Sequence, residues 1–455
     1  MLERLCVGLL YGLINAAVVI PVEMSFGAII FHDPVYAPFL PALIKLTLVS
    51  SMVHQLCFST FSSLPYAIGQ VQDSGLIFLS YAASMLALKL QSGGHDTSEI
   101  LATVTIGLSL CTTLLGFSML LIGRCKLAAF ARNILPRPVV AAYLAFIGFF
   151  CGAAGVKLMA GTQTLPAVWQ NGASGLKLAL PGFLCGLSIY FAVRTVKRVA
   201  VLPCCMAAVL LGFYGVLLFE GVSVDEAREA GWLPHKEGPR SQTLGDTYKF
   251  LVFDKVVWSA LPSQIMTLIS MTFVVTVSSS LDIAAIELEL DTPLDYNREL
   301  TTVGIANVLS GLTGGYSGSY IFSQTIFNLR SGVKDRFAGF TLALVEAFVI
   351  VVPIHILDYV PKIFFGSLLL MISADLMFEW LVDVRRHCRP VDYAVTLATF
   401  AAFVTGGVEI GIVFGMALHW VVVTRAAAAE QRKRHKARVG DGDDETRVLL
   451  PVATI

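Results

Sequence analysis

The chain has 455 residues, 56% of them hydrophobic and only 14% charged, with 32 basic residues balancing 32 acidic ones. Soluble proteins carry about a quarter of their residues as Asp, Glu, Lys and Arg, so this composition argues against a soluble enzyme or a disordered scaffold. The zero net charge argues against a nucleic-acid partner, and a polytopic membrane protein is what is left.

A helix needs about 20 apolar residues to cross the hydrocarbon core. Runs of that kind fall at 6–31, 38–58, 64–90, 99–123, 138–160, 174–193, 200–219, 256–286, 300–317, 318–331, 338–357, 361–380, 391–405 and 407–424, fourteen candidates in all. The first run continues past Pro21 to Phe31 without a small-residue cleavage site, so it reads as a span and not a signal peptide. In the third, Pro65 and Gly69 interrupt the helix. Gln70, Gln72, Asp73 and Ser74 follow as polar residues, with Asp73 or Ser74 placed to cap a helix from Gly75 to about Lys89. Residues 220–255 form a polar insert read as an extracytoplasmic surface loop, leaving seven spans in 1–219 and seven in 256–424. An odd number per half starts the second half from the opposite side, which is the arithmetic of an inverted repeat. The run 300–331 is rich in Gly, Ser and Thr and reads as one broken span or two short ones. Gly311, Gly314, Gly315 and Gly318 loosen it, and Ser317 or Ser319 is placed to cap a helix ending at Arg330. The tail, 425–455, reads as a solvated helix with a disordered end, or as a basic cluster for anionic lipid headgroups.

Basic residues accumulate in cytoplasmic loops. They gather here in the even gaps: Arg124, Lys126, Arg132 and Arg137; Arg194, Lys197 and Arg198; Arg330, Lys334 and Arg336; Arg385, Arg386 and Arg389. Both termini are therefore expected on the cytoplasmic side, in a plasma or vacuolar membrane. The nine cysteines form no CxxC motif near a histidine and lie mostly in apolar runs, so no metal site, disulfide framework or cofactor is expected.

The breaks around Ser74 and Ser319 each fall in the third span of a half. In transporters such breaks aim half-helix N-termini, with their unpaired amides, at an anion near the midplane. The segment DYNRELTTVGIANVLSGLTGGYSGSYIFSQTIFNLRSGVKDRFAG resembles the sulfate permease family, SulP or solute carrier family 26, through Asn297, Glu299, Leu300, Gly304, Asn307, Gly318, Thr325, Asn328, Gly332, Lys334, Ala338 and Gly339. IPVEMSFG resembles the family's first-span P-Q-x-M-A-Y through Pro21, Met24, Ser25 and Phe26, and residues 135–148 resemble its fifth-span opening. The resemblance implies an all-α fold of fourteen spans in two inverted seven-helix repeats, shared with uracil permeases. Spans 1–4 and 8–11 would be a core carrying substrate against a gate of spans 5–7 and 12–14, with the anion between the third and tenth spans. Three departures stand out. Gln324 occupies the place where many members carry Arg; the family's first-span Gln falls on Val22, beside Glu23; and the eighth-span carboxylate falls near Ser279, with Asp282 and Glu287 beyond. The usual cytoplasmic STAS domain is not expected in the thirty or so residues after the last span, so the chain is a short variant or a truncated one.

The expected substrate-binding residues are Gln70, Gln72, Ser74, Ser319, Ser323, Gln324 and Thr325, with helix–helix hydrogen bonding as their bland alternative. Glu23, Asp282 and Glu287 are candidates for coupling to a proton or sodium ion. A charge inside a span is costly and often functional, but each could equally be a structural pair or a hydrated edge group. With no nucleotide-binding motif, the expected function is secondary active transport or exchange of a small sulfate-like or bicarbonate-like anion, in a lipid bilayer and as a possible homodimer. The alternatives are a nucleobase permease of the same fold and a non-transporting membrane sensor or scaffold.

Overall fold

The computed structural model describes residues 2–127, 136–162, 165–170, 172–196, 201–234, 244–290, 293–352, 359–386 and 388–445. The helices are α1 (Leu2–Ile30), α2 (Leu40–Phe61), α3 (Asp73–Ser92), α4 (Thr97–Arg124), α5 (Arg137–Ala160), α6 (Gly172–Val196), α7 (Val201–Glu220), α8 (Ile265–Leu290), α9 (Tyr296–Leu312), α10 (Phe322–Arg330), α11 (Phe337–Val351), α12 (Lys362–Met377) and α13 (Pro390–Glu445). Two three-residue strands, β1 (Gly69–Val71) and β2 (Gly318–Tyr320), precede α3 and α10. Among the described residues, eight helices are long and apolar enough to cross a bilayer, and three shorter ones are apolar. The exposed Leu211, Leu218 and Phe219 on α7 suit a lipid-facing surface.

Local chemistry sets where these helices begin. Asp96 and Glu99 form a capping box at α4: the Asp96 carboxylate accepts from the Glu99 amide at 2.7 Å, and Glu99 accepts from the Asp96 amide at 3.3 Å. Bonds from the Glu99 amide and the Ser98 hydroxyl hold the exposed Asp96 carboxyl below its ordinary value. Asp295 caps α9 by accepting from the amides of Asn297 and Arg298, at 3.0 and 3.2 Å. In the polar insert, Ser223 and Glu226 box the one-turn helix Val224–Glu229. Helix α13 covers both of the last two expected spans and the basic run after them. It is interrupted by non-helical backbone at Gly407, whose φ of 81° suits glycine.

The chain forms two compact units. The first is Met1–Ile134 with Ile147–Phe378, and the second is Leu135–Phe146 with Glu379–Ile455. In the first unit, α4 and α9 pack backbone to backbone. A Cβ on Gly116 would lie 2.5 Å from the Val308 amide, and one on Gly304 would lie 2.7 Å from that of Leu120. Small residues permit this approach in a membrane, where apolar surface alone does not draw helices together. Helices α6, α7 and α12 share a core around Tyr190, Met206, Phe364 and Leu368. Helices α1 and α11 meet through Ala16, Val19 and Leu342, with Ile68 beside them. In the second unit, Phe403 of α13 stacks on Phe146 with ring centres 5.4 Å apart.

Candidate substrate site at two broken helices

Extended backbone inside a bilayer must find hydrogen-bond partners within the protein. Here the two breaks satisfy each other. Strands β1 and β2 pair antiparallel, with Gly69 opposite Tyr320, Gln70 opposite Ser319 and Val71 opposite Gly318. The ladder extends past both ends: the Ile321 amide donates to the Ile68 carbonyl at 2.9 Å, and the Gln72 amide to the Ser317 carbonyl at 3.3 Å. Helix α3 then starts at one end of this ribbon and α10 at the other. The first-turn amides of any helix lack internal partners and carry the positive end of its dipole.

Surrounding polar residues brace the ribbon. Asn307 accepts from the Gly318 amide at 3.0 Å and donates to the Gly318 carbonyl at 2.8 Å. Ser50 accepts from the Tyr316 amide at 2.9 Å, and His54 lies 3.0 Å from the Tyr316 carbonyl. Asn328 donates to the Tyr66 carbonyl at 3.1 Å, and Asn15 donates to Asn328 at 2.9 Å. Gly75, in the first turn of α3, lets Ser317 approach closely: a Cβ there would sit 2.1 Å from Ser317 Oγ and force that hydroxyl to turn away.

The capping expectations need correction. The N-cap of α3 is Gln72 and that of α10 is Ile321, and neither makes a side-chain capping bond. Asp73 and Ser74 lie inside α3, whereas Ser317 and Ser319 lie before α10, Ser319 within β2. The Ser74 hydroxyl donates to Gln72 Oε1 at 2.8 Å instead. Gln72 in turn donates to Asp282 at 2.6 Å and to Ser278 at 3.3 Å, so Gln72, Ser74 and Asp282 stand together at the α3 start. Gln70 and Ser319 face each other across the ribbon. The Gln70 amide donates to Gln55 Oε1 at 3.2 Å and its carbonyl accepts from Ser51, while the buried Ser319 hydroxyl has no hydrogen-bond partner among the described residues. Thr325 accepts from the Ile68 amide at 3.1 Å, a bond that pins the lead-in to β1 against α10. Gln324 is half-buried, and its Oε1 has no partner among the described residues. The Ser323 side chain lies outside the described residues. Glu287 sits further along α8, half-buried, and is not tied to the ribbon by any hydrogen bond described.

Glu23 is 1% exposed, and its carboxylate takes a bond from the Val71 amide. Glu346 of α11, close enough to repel it, is fully buried and 2.5 Å from the Ser51 hydroxyl that donates to it. Glu346 is not among the expected site residues, although a lone acid in the apolar run 338–357 is the same signal that singles out Glu23. Nor is Glu299 among them. That buried carboxylate accepts from Ser62 Oγ and the Ser63 amide, both at 3.0 Å, and from the hydroxyls of Ser63 and Tyr320.

A sequence profile described as the sulfate permease family matches residues 7–399. The chain belongs to the sulfate permease family. This is a family of membrane anion transporters, not of enzymes, and the chain is a multi-pass integral membrane protein. A vacuolar basic amino acid transporter of Saccharomyces cerevisiae, VSB1, is 26% identical over 427 residues, 90% of this chain. The chain spans only 39% of that relative's length. Among solved structures, the transmembrane domain of the cyanobacterial bicarbonate transporter BicA aligns with a TM-score of 0.65 at 17% identity, covering 92% of this chain and 98% of that one. Murine solute carrier 26 family member A9, an anion transporter in the inward-facing state, aligns with a TM-score of 0.67 at 15% identity, covering 92% and 68%. At these identities the two structures establish the sulfate permease fold of this chain.

Proposed function

We propose that this member of the sulfate permease family is a secondary active transporter or exchanger of small inorganic anions, sulfate-like or bicarbonate-like, working by an elevator-type alternation of access. The observation that carries the reading is the β1–β2 ribbon, which holds the starts of α3 and α10 in one place. Fixed amides recognise an oxyanion without a buried counter-charge. Gln70, Gln72, Ser74, Ser319 and Gln324 supply polar groups around them. Gln324 offers a dipole where a cation would hold a dianion more tightly.

One observation favours a second reading. The carboxyls of Asp282, Glu23 and Glu346 cluster around β1 and the α3 start. A dianion is repelled by such neighbours, whereas a substrate carrying an ammonium or guanidinium beside its carboxylate is not. The name of the yeast relative, a basic amino acid transporter, points the same way.

Uptake into proteoliposomes of sulfate, bicarbonate, chloride, uracil and lysine separates the readings. Sulfate or bicarbonate uptake is the expected result, and Gln324→Arg should raise the affinity for sulfate roughly tenfold or more, the worth of one hydrogen bond to a charged group. Lysine uptake without sulfate uptake selects the second reading, and uracil uptake a nucleobase permease. A protein that moves none of the five is not the transporter proposed.

A further inference from the structure

Two buried carboxyls in the first unit are solvated very differently from a third. Glu299 receives four hydrogen bonds, from Ser62, Tyr320 and both the amide and the hydroxyl of Ser63. That is what an ionised carboxylate needs once water is gone. Glu23 and Glu346, close enough to repel each other, have much less. Glu23 has the Val71 amide. Glu346 has the Ser51 hydroxyl and the Gln70 side chain, and Ser51 has a single proton to divide between Glu346 and Gln70 Oε1. Gln70 also spends an amide hydrogen on Gln55. One oxygen of each carboxyl, Oε2 in both, is buried without a hydrogen-bond partner among the described residues. Titratable groups on neighbouring elements engage other atoms: Asp282 of α8 takes a bond from Gln72 at 2.6 Å, Lys45 of α2 bonds the Ile350 carbonyl at 3.2 Å, and His54 of α2 faces the Tyr316 carbonyl.

Two like charges buried side by side cannot both persist, and a proton on one carboxyl both removes the repulsion and supplies the donor that the oxygens lack. We propose that Glu23 and Glu346 form a carboxyl pair that holds one proton between them at neutral pH, and that this proton sets the charge behind β1. The pair touches Gln70 and Val71, the residues leading directly into the α3 start. Loading or releasing the proton therefore changes by one unit the charge behind the amides offered to a substrate. This consequence rests on the transport reading above; the existence of the shared proton does not.

The test is an infrared titration of the purified full chain in lipid. Wild type should show the carbonyl stretch of a protonated carboxyl at pH 7, and this band should be missing from the Glu23→Gln/Glu346→Gln double variant. Either single substitution removes the like charge, so the band of the remaining carboxyl should titrate at least one pH unit lower, a tenfold loss of proton affinity. Ser51→Ala takes a donor from the ionised form and should move the band to higher pH; it also serves if the glutamine variants do not fold. Wild type and double variant with the same neutral-pH carboxyl spectrum would overturn the proposal. The pH profile of uptake should follow the band in each variant, and a band that shifts without it overturns the part in transport. Because the infrared signal needs no substrate, a protein inactive in the uptake panel still tests the pair.

Discussion

At the scale of single residues, the polar groups of the first unit divide into those that hold the ribbon and those that face its helix starts. Glu299 is of the first kind. Glu299→Ala would take the acceptor from the Ser63 amide, and from one of the Ser62 and Tyr320 hydroxyls, which lie 2.8 Å apart and can use only one of their two protons on each other. Each unsatisfied donor costs about 1–3 kcal/mol, so this variant should lose about 3 kcal/mol or more of stability, read as a fall in thermal midpoint in detergent. Glu299→Gln keeps an acceptor oxygen and should lose clearly less; equal losses would mean that the bonds counted here do not matter. The sequence made some of these residues legible. Glu23 stood out because a charge in an apolar run has few innocent explanations, and Gln72 and Ser74 did so because they follow a break. Asp282 was visible, but not its bond to Gln72, since the two lie on helices far apart in the chain. Thr325, an expected substrate-binding residue, accepts from the Ile68 amide, a bond that the sequence does not announce. Nothing in the local pattern of α10 distinguishes a hydroxyl turned to a ligand from one turned to a backbone 257 residues away.

At the scale of elements, hydropathy located the helices because a bilayer imposes length and apolarity on anything that crosses it. It also located both breaks, through Pro65, Gly69 and the glycines after Ser310. It misplaced the helix starts for a physical reason. Capping rules assume that a helix begins where a side chain satisfies its first amides. Here the Gln72 and Ile321 amides are spent on the opposite strand, so the register of a three-residue ribbon decides where α3 and α10 begin. Strands that short leave no periodic trace in a sequence. The α4–α9 contact is more readable, because glycine positions a heptad apart recur on both helices, at Gly116 and Gly123 and at Gly304 and Gly311. Gly304→Leu must push its side chain into the α4 backbone and should cost about 2–3 kcal/mol, the upper part of the usual range for overpacking. Gly212→Ala on α7, where an added Cβ meets nothing within 4 Å, should change stability by less than about 0.5 kcal/mol. Thermal unfolding of the pair in the same detergent tests the contrast, and a Gly304→Leu protein as stable as wild type would mean that the helices do not touch where described.

At the scale of the whole molecule, membership of the sulfate permease family fixes a multi-pass membrane protein, and charge gives an expectation for the direction in which it is threaded. Arg124 closes α4 and Lys126 follows it, Arg194 lies in the last turn of α6, and Arg330, Lys334 and Arg336 surround the end of α10. Moving such clusters across a membrane during insertion is resisted, so they should remain on the cytoplasmic side. The gap between α3 and α4 is short and has no Lys or Arg between Ser92 and Glu99, so it is expected on the opposite face. Cys125 is exposed just beyond α4, and Ser92 is exposed at the end of α3, so one thiol at a time reports on each side. In a variant whose other cysteines are replaced, Cys125 should resist a membrane-impermeant maleimide in intact cells and react after permeabilisation. A cysteine-free variant carrying Ser92→Cys should react in intact cells. The reverse pattern would turn the molecule over in the membrane, and reaction of both thiols from outside would mean that α4 does not cross the bilayer between them.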